Sequence, residues 1–503
     1  MNPALKYRPI MVAGTGSHVG KSVLVMGLCR VFKRRGIDVA PFKAQNMALN
    51  SGITPQGHEI GRAQVAQAQA AGLEPSVDMN PILLKPGGHT NSQVVLMGKP
   101  LGNYAGVDYY KLKPRLVETV MQAFGRLCAQ HQLVVLEGAG SCAEVNLKRH
   151  DLVNLSMAQR AGAKVLLAAD IDTGGVFAQV LGTIDLMTPE ERDMLAGVVI
   201  NKFRGDPNLF REGMEFIASR SGVPVLGILP RFEHILLPQE DGVALERGEL
   251  GGRAGSVRVG VARLGYISNY TDFDALAASE GVELSWLERP EELAGLDLLV
   301  LPGTKNTLAA LKRLHGSGLF EAIKSFHKLG GKVLGLCGGY QLLGREIADP
   351  DGVEGPPGAE QGLGLLPVRT VMAGDKATTR VRAACGAGLP FAVPGEVTGY
   401  EIHMGRTQAQ GDSRPAFSFT QVLSQNVEQD EGQVSPDGRV VGTYLHGILD
   451  NDELRAAVLA WARGGALPEQ AGNYAAFREE QFELLADLLE ENLALDSLLE
   501  PLS

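Results

Sequence analysis

Short apolar runs alternate with longer amphipathic stretches over the first 230 residues or so. The runs are Ile10–Ala13, Val39–Phe42, Leu133–Glu137, Val165–Asp170, Val198–Asn201 and Val225–Ile228. A strand covered on both faces reads as an unbroken apolar run, and the stretches between them, such as Ser22–Arg35 and Gly61–Ala71, read as helices. The alternation predicts an α/β fold: a doubly wound parallel sheet with functional residues at the C-terminal ends of its strands. Residues 238–256 are glycine-rich and charged, with no sustained apolar period, which predicts a linker. A second α/β series follows at Val257–Ala262, Leu298–Leu301 and Lys332–Leu336, and then strand-rich sequence to Leu445. Phe482, Leu485, Leu489 and Leu493 recur at helical spacing with acidic residues between them, the pattern of a packing helix. The expected organisation is a first domain at 1–237, a linker at 238–256, a second domain at 257–455 and a helical extension at 456–503.

With 45% hydrophobic and 21% charged residues, the 503-residue chain has the composition of a soluble globular protein, which excludes a disordered one. Its 47 basic and 57 acidic residues leave a net charge of −10, which argues against a nucleic-acid partner while leaving room for one local basic pocket. The five cysteines, Cys29, Cys128, Cys142, Cys337 and Cys385, are odd in number and never at C-x-x-C spacing, so neither a disulfide framework nor a zinc site is expected. No signal-peptide pattern opens the chain, and no stretch approaches the ~20 apolar residues of a membrane span. The expected class is a cytoplasmic enzyme with no membrane partner.

Residues Gly14–Ser22 read GTGSHVGKS between a strand and a helix, the setting a phosphate loop requires. Backbone N–H groups from Gly14 through Thr15 to Gly20 would cradle phosphates, Lys21 would neutralise the β/γ oxygens, and the Ser22 hydroxyl would bind Mg²⁺. A dinucleotide reading fails because the third glycine of G-x-G-x-x-G would fall at Val19. Glu137 in LEGAGS and Asp170 in ADIDTGG stand at strand ends, where a carboxylate suits Mg²⁺; the alternative for both is helix capping. Asn201, after the run VVI, is placed to face the base of a nucleotide. The loop has its first glycine one residue earlier than the strict P-loop pattern, and this GTxxxxGK[ST] form resembles the dethiobiotin synthetase branch of P-loop enzymes. That resemblance implies ATP.

In KVLGLCGGYQLLG (Lys332–Gly344) a strand runs through G-x-C-x-G into an apolar helix. The glycines allow a sharp turn that lifts the Cys337 thiol to a helix N-terminus, with the Gly338 N–H aimed at an oxyanion. His446 in GTYLHG is the expected base, and His403 in GYEIHMGRT its competitor. The elbow resembles the class I glutamine amidotransferases. LPGTKNT (Leu301–Thr307) is similar to their second oxyanion loop, which would put a donor near Gly303. Their pattern has Glu two residues after the histidine, where this chain has Ile448, so a Cys337–His446 dyad is expected.

The strings KAQNMALNS, EIGRAQVAQAQAAG, NPILLKP, EGAGSCAEVNL, YISNYTDFDAL, GYEIHMGRT and GTYLHGILD together resemble the cobyric acid synthase family over nearly the whole chain. The sister a,c-diamide synthases carry a GPDYIDP-like segment where this chain has KAQNMALNS. The resemblance implies glutamine, ATP, Mg²⁺ and a corrinoid carboxylic acid. It also implies amidation of the b, d, e and g carboxylates of adenosylcobyrinic acid a,c-diamide through acyl phosphates. A P-loop switch protein, the reading from another class, would have no use for the cysteine elbow.

Overall fold

The computed structural model describes residues 4–86, 91–238, 257–265, 267–412, 414–465 and 472–502; the expected linker at 238–256 lies, from residue 239 on, outside them. The chain forms two compact units. One comprises residues 1–54, 58–240 and 478–503, the other 55–57 and 241–477.

The first unit is built on six parallel strands in the order Val225–Pro230, Leu195–Phe203, Lys164–Asp170, Ile10–Gly14, Leu133–Glu137, Val39–Phe42. All six coincide with the apolar runs of the sequence. Their side chains enter two cores, one on each face of the sheet, so neither face alternates with polar residues. The strand feeding the phosphate loop is central, and Glu137 ends its neighbour, in register with Val12. A four-stranded sheet (Gln45–Met47, Ile82–Pro86, Asn91–Leu96 and Lys99–Ala105), absent from the expected elements, follows the edge strand Val39–Phe42 in sequence.

The expected extension at 456–503 is divided between the two units. Helix Asp452–Arg463 belongs to the second, whereas residues 478–503 complete the core of the first. Phe482, Leu485, Leu489, Leu493, Leu495 and Leu498 are buried beside Leu24, Leu28 and Val31 of the phosphate-loop helix Lys21–Arg34. The approach is close at Gly27, where a Cβ would stand 2.6 Å from Leu489 Cδ2. The acidic residues between the leucines pair with that helix: Arg30 with Glu479 and Glu483, Arg34 with Asp487 and Glu490, Arg35 with Asp496. Each exposed pair is worth about 0–1 kcal/mol, against roughly 1.5–3 kcal/mol for each buried leucine, so the apolar seam does most of the holding.

The second unit carries a sheet in the order Val282–Leu287, Val257–Ala262, Leu298–Leu301, Lys332–Leu336, Val440–Thr443, Gln433–Val434, parallel except for the last strand. The strand-rich region expected before Leu445 forms a mostly antiparallel sheet dominated by the long ribbon Val368–Cys385 and Glu396–Ala409.

Candidate active sites

At the phosphate loop, Gly20 (φ 96°) caps the helix in the left-handed region, and a Cβ there would fall 2.1 Å from Asn201 Nδ2. Asn201 donates from Nδ2 to Val19 O at 2.8 Å and accepts the Lys202 N–H at 2.8 Å, so its amide braces the loop from beneath. Lys202 Nζ donates to His18 O and to Asp170 Oδ2. Lys21 curls back, donating to Gly16 O at 2.9 Å and Gly140 O at 2.8 Å. Thr15 is anchored through its N–H to Ala168 O. A Cβ on Gly14 would sit 2.8 Å from Val19 Cγ2 and 3.0 Å from Lys21 Nζ, so a side chain there would push on both.

Ser22 Oγ donates to Glu137 Oε1 at 2.7 Å, as strand adjacency predicts. Glu137 is buried and accepts three further bonds: from Lys43 Nζ at 2.8 Å on the same oxygen, and from Gln67 and Gln64 Nε2 at 2.6 and 3.4 Å on the other. Asp170 stands two strands away from Glu137, across the phosphate-loop strand, bonded to Lys202 and to the Asp172 N–H.

In the second unit, Cys337 adopts φ 52° and ψ −109°, a conformation that costs a non-glycine residue about 1–3 kcal/mol. The turn is held by Cys337 N–H to Thr443 O at 2.8 Å and Gln341 N–H to Cys337 O at 3.1 Å. A Cβ on Gly339 would lie 2.0 Å from Leu301 O, and one on Gly338 2.3 Å from Thr304 Cγ2, so strand, elbow and the LPGTKNT loop interlock only around glycines. Gly303 lies against His446: a Cβ at Gly303 would stand 3.1 Å from His446 Cε1.

His446 is fully buried. Its Nδ1 pairs with Asp272 Oδ2 at 2.7 Å, while Asp272 Oδ1 accepts the Gly447 N–H at 2.9 Å. Its Nε2 makes no hydrogen bond among the described residues. Burial opposes charge on the imidazole, but the nearby Asp272 and Cys337 outweigh it and raise the histidine above its ordinary value. The Cys337 thiol itself contacts Ile402 O at 3.6 Å. The rival, His403, is committed elsewhere: Nδ1 to Gly405 O, Nε2 to Glu401, and its ring stacked 3.6 Å from that of Tyr444.

The geometry is therefore that of a nucleotide loop with a buried carboxylate in one unit and a thiol–imidazole–carboxylate constellation in the other. Known proteins show the same division. The family model described as CobQ/CobB/MinD/ParA nucleotide binding domain matches residues 10–243, and that described as CobB/CobQ-like glutamine amidotransferase domain matches residues 258–454. The cobyric acid synthase of Syntrophobacter fumaroxidans is 50% identical over 499 residues, which cover 97% of this chain and 97% of its own. That of Moorella thermoacetica is 47% identical over 500 residues, covering 98% and 96%. That of Sorangium cellulosum is 47% identical over 502 residues, covering 96% of each. The chain belongs to the cobyric acid synthase family.

As a member of the cobyric acid synthase family it is a glutamine-dependent, amide-forming ligase with a nucleotide-binding domain and a glutamine amidotransferase domain. Among the described residues no helix is long and apolar enough to cross a membrane. Of the residues singled out in the sequence, Cys337, His446, Gly338 and Gly303 converge, as do Lys21, Ser22, Gly14, Thr15 and Gly20. Glu137 joins Ser22, whereas Asp170 and Asn201 reach the loop through Lys202 and Val19. Sequence reasoning missed Asp272, which takes the place left vacant by Ile448. It comes from YISNYTDFDAL, where Tyr270, Phe273 and Leu276 anchor a short helical turn in the core and turn Asp272 to the histidine. The available signal was an acid flanked by core aromatics in a string already singled out.

Proposed function

We propose that this chain amidates the b, d, e and g carboxylates of adenosylcobyrinic acid a,c-diamide, using ammonia from glutamine and activation by ATP with Mg²⁺. The reading is supported by the presence in one chain of the Ser22–Glu137 pair at a phosphate loop and the Cys337 elbow with its His446–Asp272 pair.

In the amidotransferase domain His446 Nε2 takes the Cys337 proton while Asp272 holds Nδ1–H and steadies the imidazolium. The thiolate attacks the glutamine amide carbon, with the oxyanion facing the Gly338 N–H and the Gly303 loop. His446 returns the proton to the departing ammonia, then draws one from the water that releases glutamate. In the nucleotide domain the loop amides from Gly14 to Gly20 hold phosphates, and Lys21 leaves the carbonyls of Gly16 and Gly140 for the β/γ oxygens. The groups beside the loop at this point, the Ser22 hydroxyl and the Glu137 carboxylate, are both hard oxygens. They are the ligand type that Mg²⁺ prefers. Ser22 and Glu137 would hold it, and when bound it offsets charge on the transferring phosphoryl group. Asp170 and Asn201 are assigned to bracing the loop. The substrate carboxylate takes the γ-phosphoryl as ADP leaves, and ammonia then displaces phosphate to give the amide.

The test is the mass of the corrinoid product after incubation with the diamide, glutamine and ATP-Mg²⁺. Replacement of OH by NH₂ at four positions is expected. ATP or glutamine turnover with an unchanged corrinoid mass refutes the substrate assignment. Cys337→Ala should lose the reaction with glutamine and keep it with an ammonium salt.

A further inference from the structure

Gln64 and Gln67 sit one turn apart on helix Arg62–Ala70, at a spacing that on an ordinary surface helix would face water. Both are instead fully buried. Gln64 is itself held in place: its Oε1 accepts from Asn46 Nδ2 at 2.9 Å, and a Cβ on Gly61 would stand 2.5 Å from that oxygen. Gln67 makes the shorter bond to Glu137, from Nε2 to Oε2 at 2.6 Å, with a longer one to Ser22 O at 3.3 Å. A carboxylate can only accept, so it fixes which end of the Gln67 amide faces it. The amide oxygen then points away, and among the described residues that buried Oε1 has no hydrogen-bond partner. Leaving a buried acceptor unmet costs about 1–3 kcal/mol, which a leucine of similar size would avoid.

We infer that Gln67 is a positioning residue for the cation-binding carboxylate: its Nε2 holds Glu137 Oε2 so that Oε1 is turned to Ser22, and its own Oε1 would accept a hydrogen bond from a water brought in with the cation. The inference rests on the reading of Ser22 and Glu137 as the Mg²⁺ ligands. It gives KAQNMALNS and EIGRAQVAQAQAAG a common physical purpose, since Lys43, Asn46, Gln64 and Gln67 form one buried layer against Glu137.

The experiment is calorimetric titration of the full chain with a non-hydrolysable ATP analogue, with Mg²⁺ and with a chelator, so that the ratio of the two affinities reports metal coupling. For Gln67→Leu that ratio should fall by about tenfold or more, as losses of outer-shell partners do, while metal-free affinity stays close to wild type. Gln67→Met, which keeps the length of the side chain and removes its amide, should lose coupling in the same way. A wild-type ratio in either variant overturns the inference. If Gln67→Leu fails to fold, Gln67→Met decides. Glu137→Gln in the same titration separates the two levels. Undiminished coupling there defeats the metal reading itself, whereas loss in Glu137→Gln with retention in Gln67→Leu defeats only the role of Gln67.

Discussion

Replacing Asp272 by Asn tests the amidotransferase site at its least expected member. The change preserves volume and leaves one oxygen to accept the Gly447 N–H, now at 2.9 Å, so the turn after His446 keeps its anchor. What it removes is the negative charge 2.7 Å from Nδ1, in a site where His446 is wholly buried and Asp272 nearly so. The amide now offers Nδ1 a donor, which forces the ring into the tautomer with hydrogen on Nε2, the wrong one to receive the thiol proton. Removing one partner of a buried charge pair costs about 3–5 kcal/mol. At about 1.36 kcal/mol per decade, glutamine hydrolysis should fall by two to nearly four powers of ten. The assay compares glutamine-supported with ammonium-supported amide synthesis in the same preparation. The first should collapse and the second hold, with a thermal melt confirming the fold. Hydrolysis within about fivefold of wild type, under 1 kcal/mol of barrier, would show that His446 needs no carboxylate.

Lys21→Ala should abolish synthesis with either nitrogen source while Cys337 stays reactive towards a glutamine-like chloroketone; ammonium-supported synthesis near wild-type rates would remove the phosphate loop from the chemistry. Gly20→Ala places a Cβ 2.1 Å from Asn201 Nδ2 at a left-handed position, so nucleotide affinity should drop at least about tenfold. Equal binding by calorimetry would mean that Asn201 does not brace the loop. Burial, aided by Glu401, pushes the Glu431 carboxyl up to about 8, above its ordinary 4.5. A carboxyl whose folded value is raised stabilises most below the unfolded value and loses that contribution as pH climbs through the folded one. Wild type should therefore melt lower at pH 8.5 than at pH 6, and Glu431→Gln should lose part of that slope; an identical slope in the variant contradicts the assignment.

The six strands of the first sheet were legible because burial on both faces leaves unbroken apolar runs. Strand Val282–Leu287 was not: VELSWL mixes polar with apolar residues, as an edge strand covered unequally does. The elbow could be read from its glycines because the close approaches at Gly335, Gly338 and Gly339 are local and forbid a side chain. The partner of His446 could not, since Asp272 lies 174 residues away and only the packing of the intervening sheet brings it near. Gln64 and Gln67 were read correctly as helical, but their spacing resembles a solvated face. Their burial follows from Glu137, which no helical period reveals.

The last stretch of chain, 478–503, closes the apolar seam along the phosphate-loop helix, yet it is translated only after the whole amidotransferase unit. Between residues 240 and 478 a ribosome adding about 5–20 residues per second spends roughly ten to fifty seconds, during which Leu24, Leu28 and Val31 lack their final cover. The nucleotide domain is thus begun first and finished last. Residues 1–237 expressed by themselves would lack Leu485, Leu489 and Leu493, and with them that cover over Leu24, Leu28 and Val31.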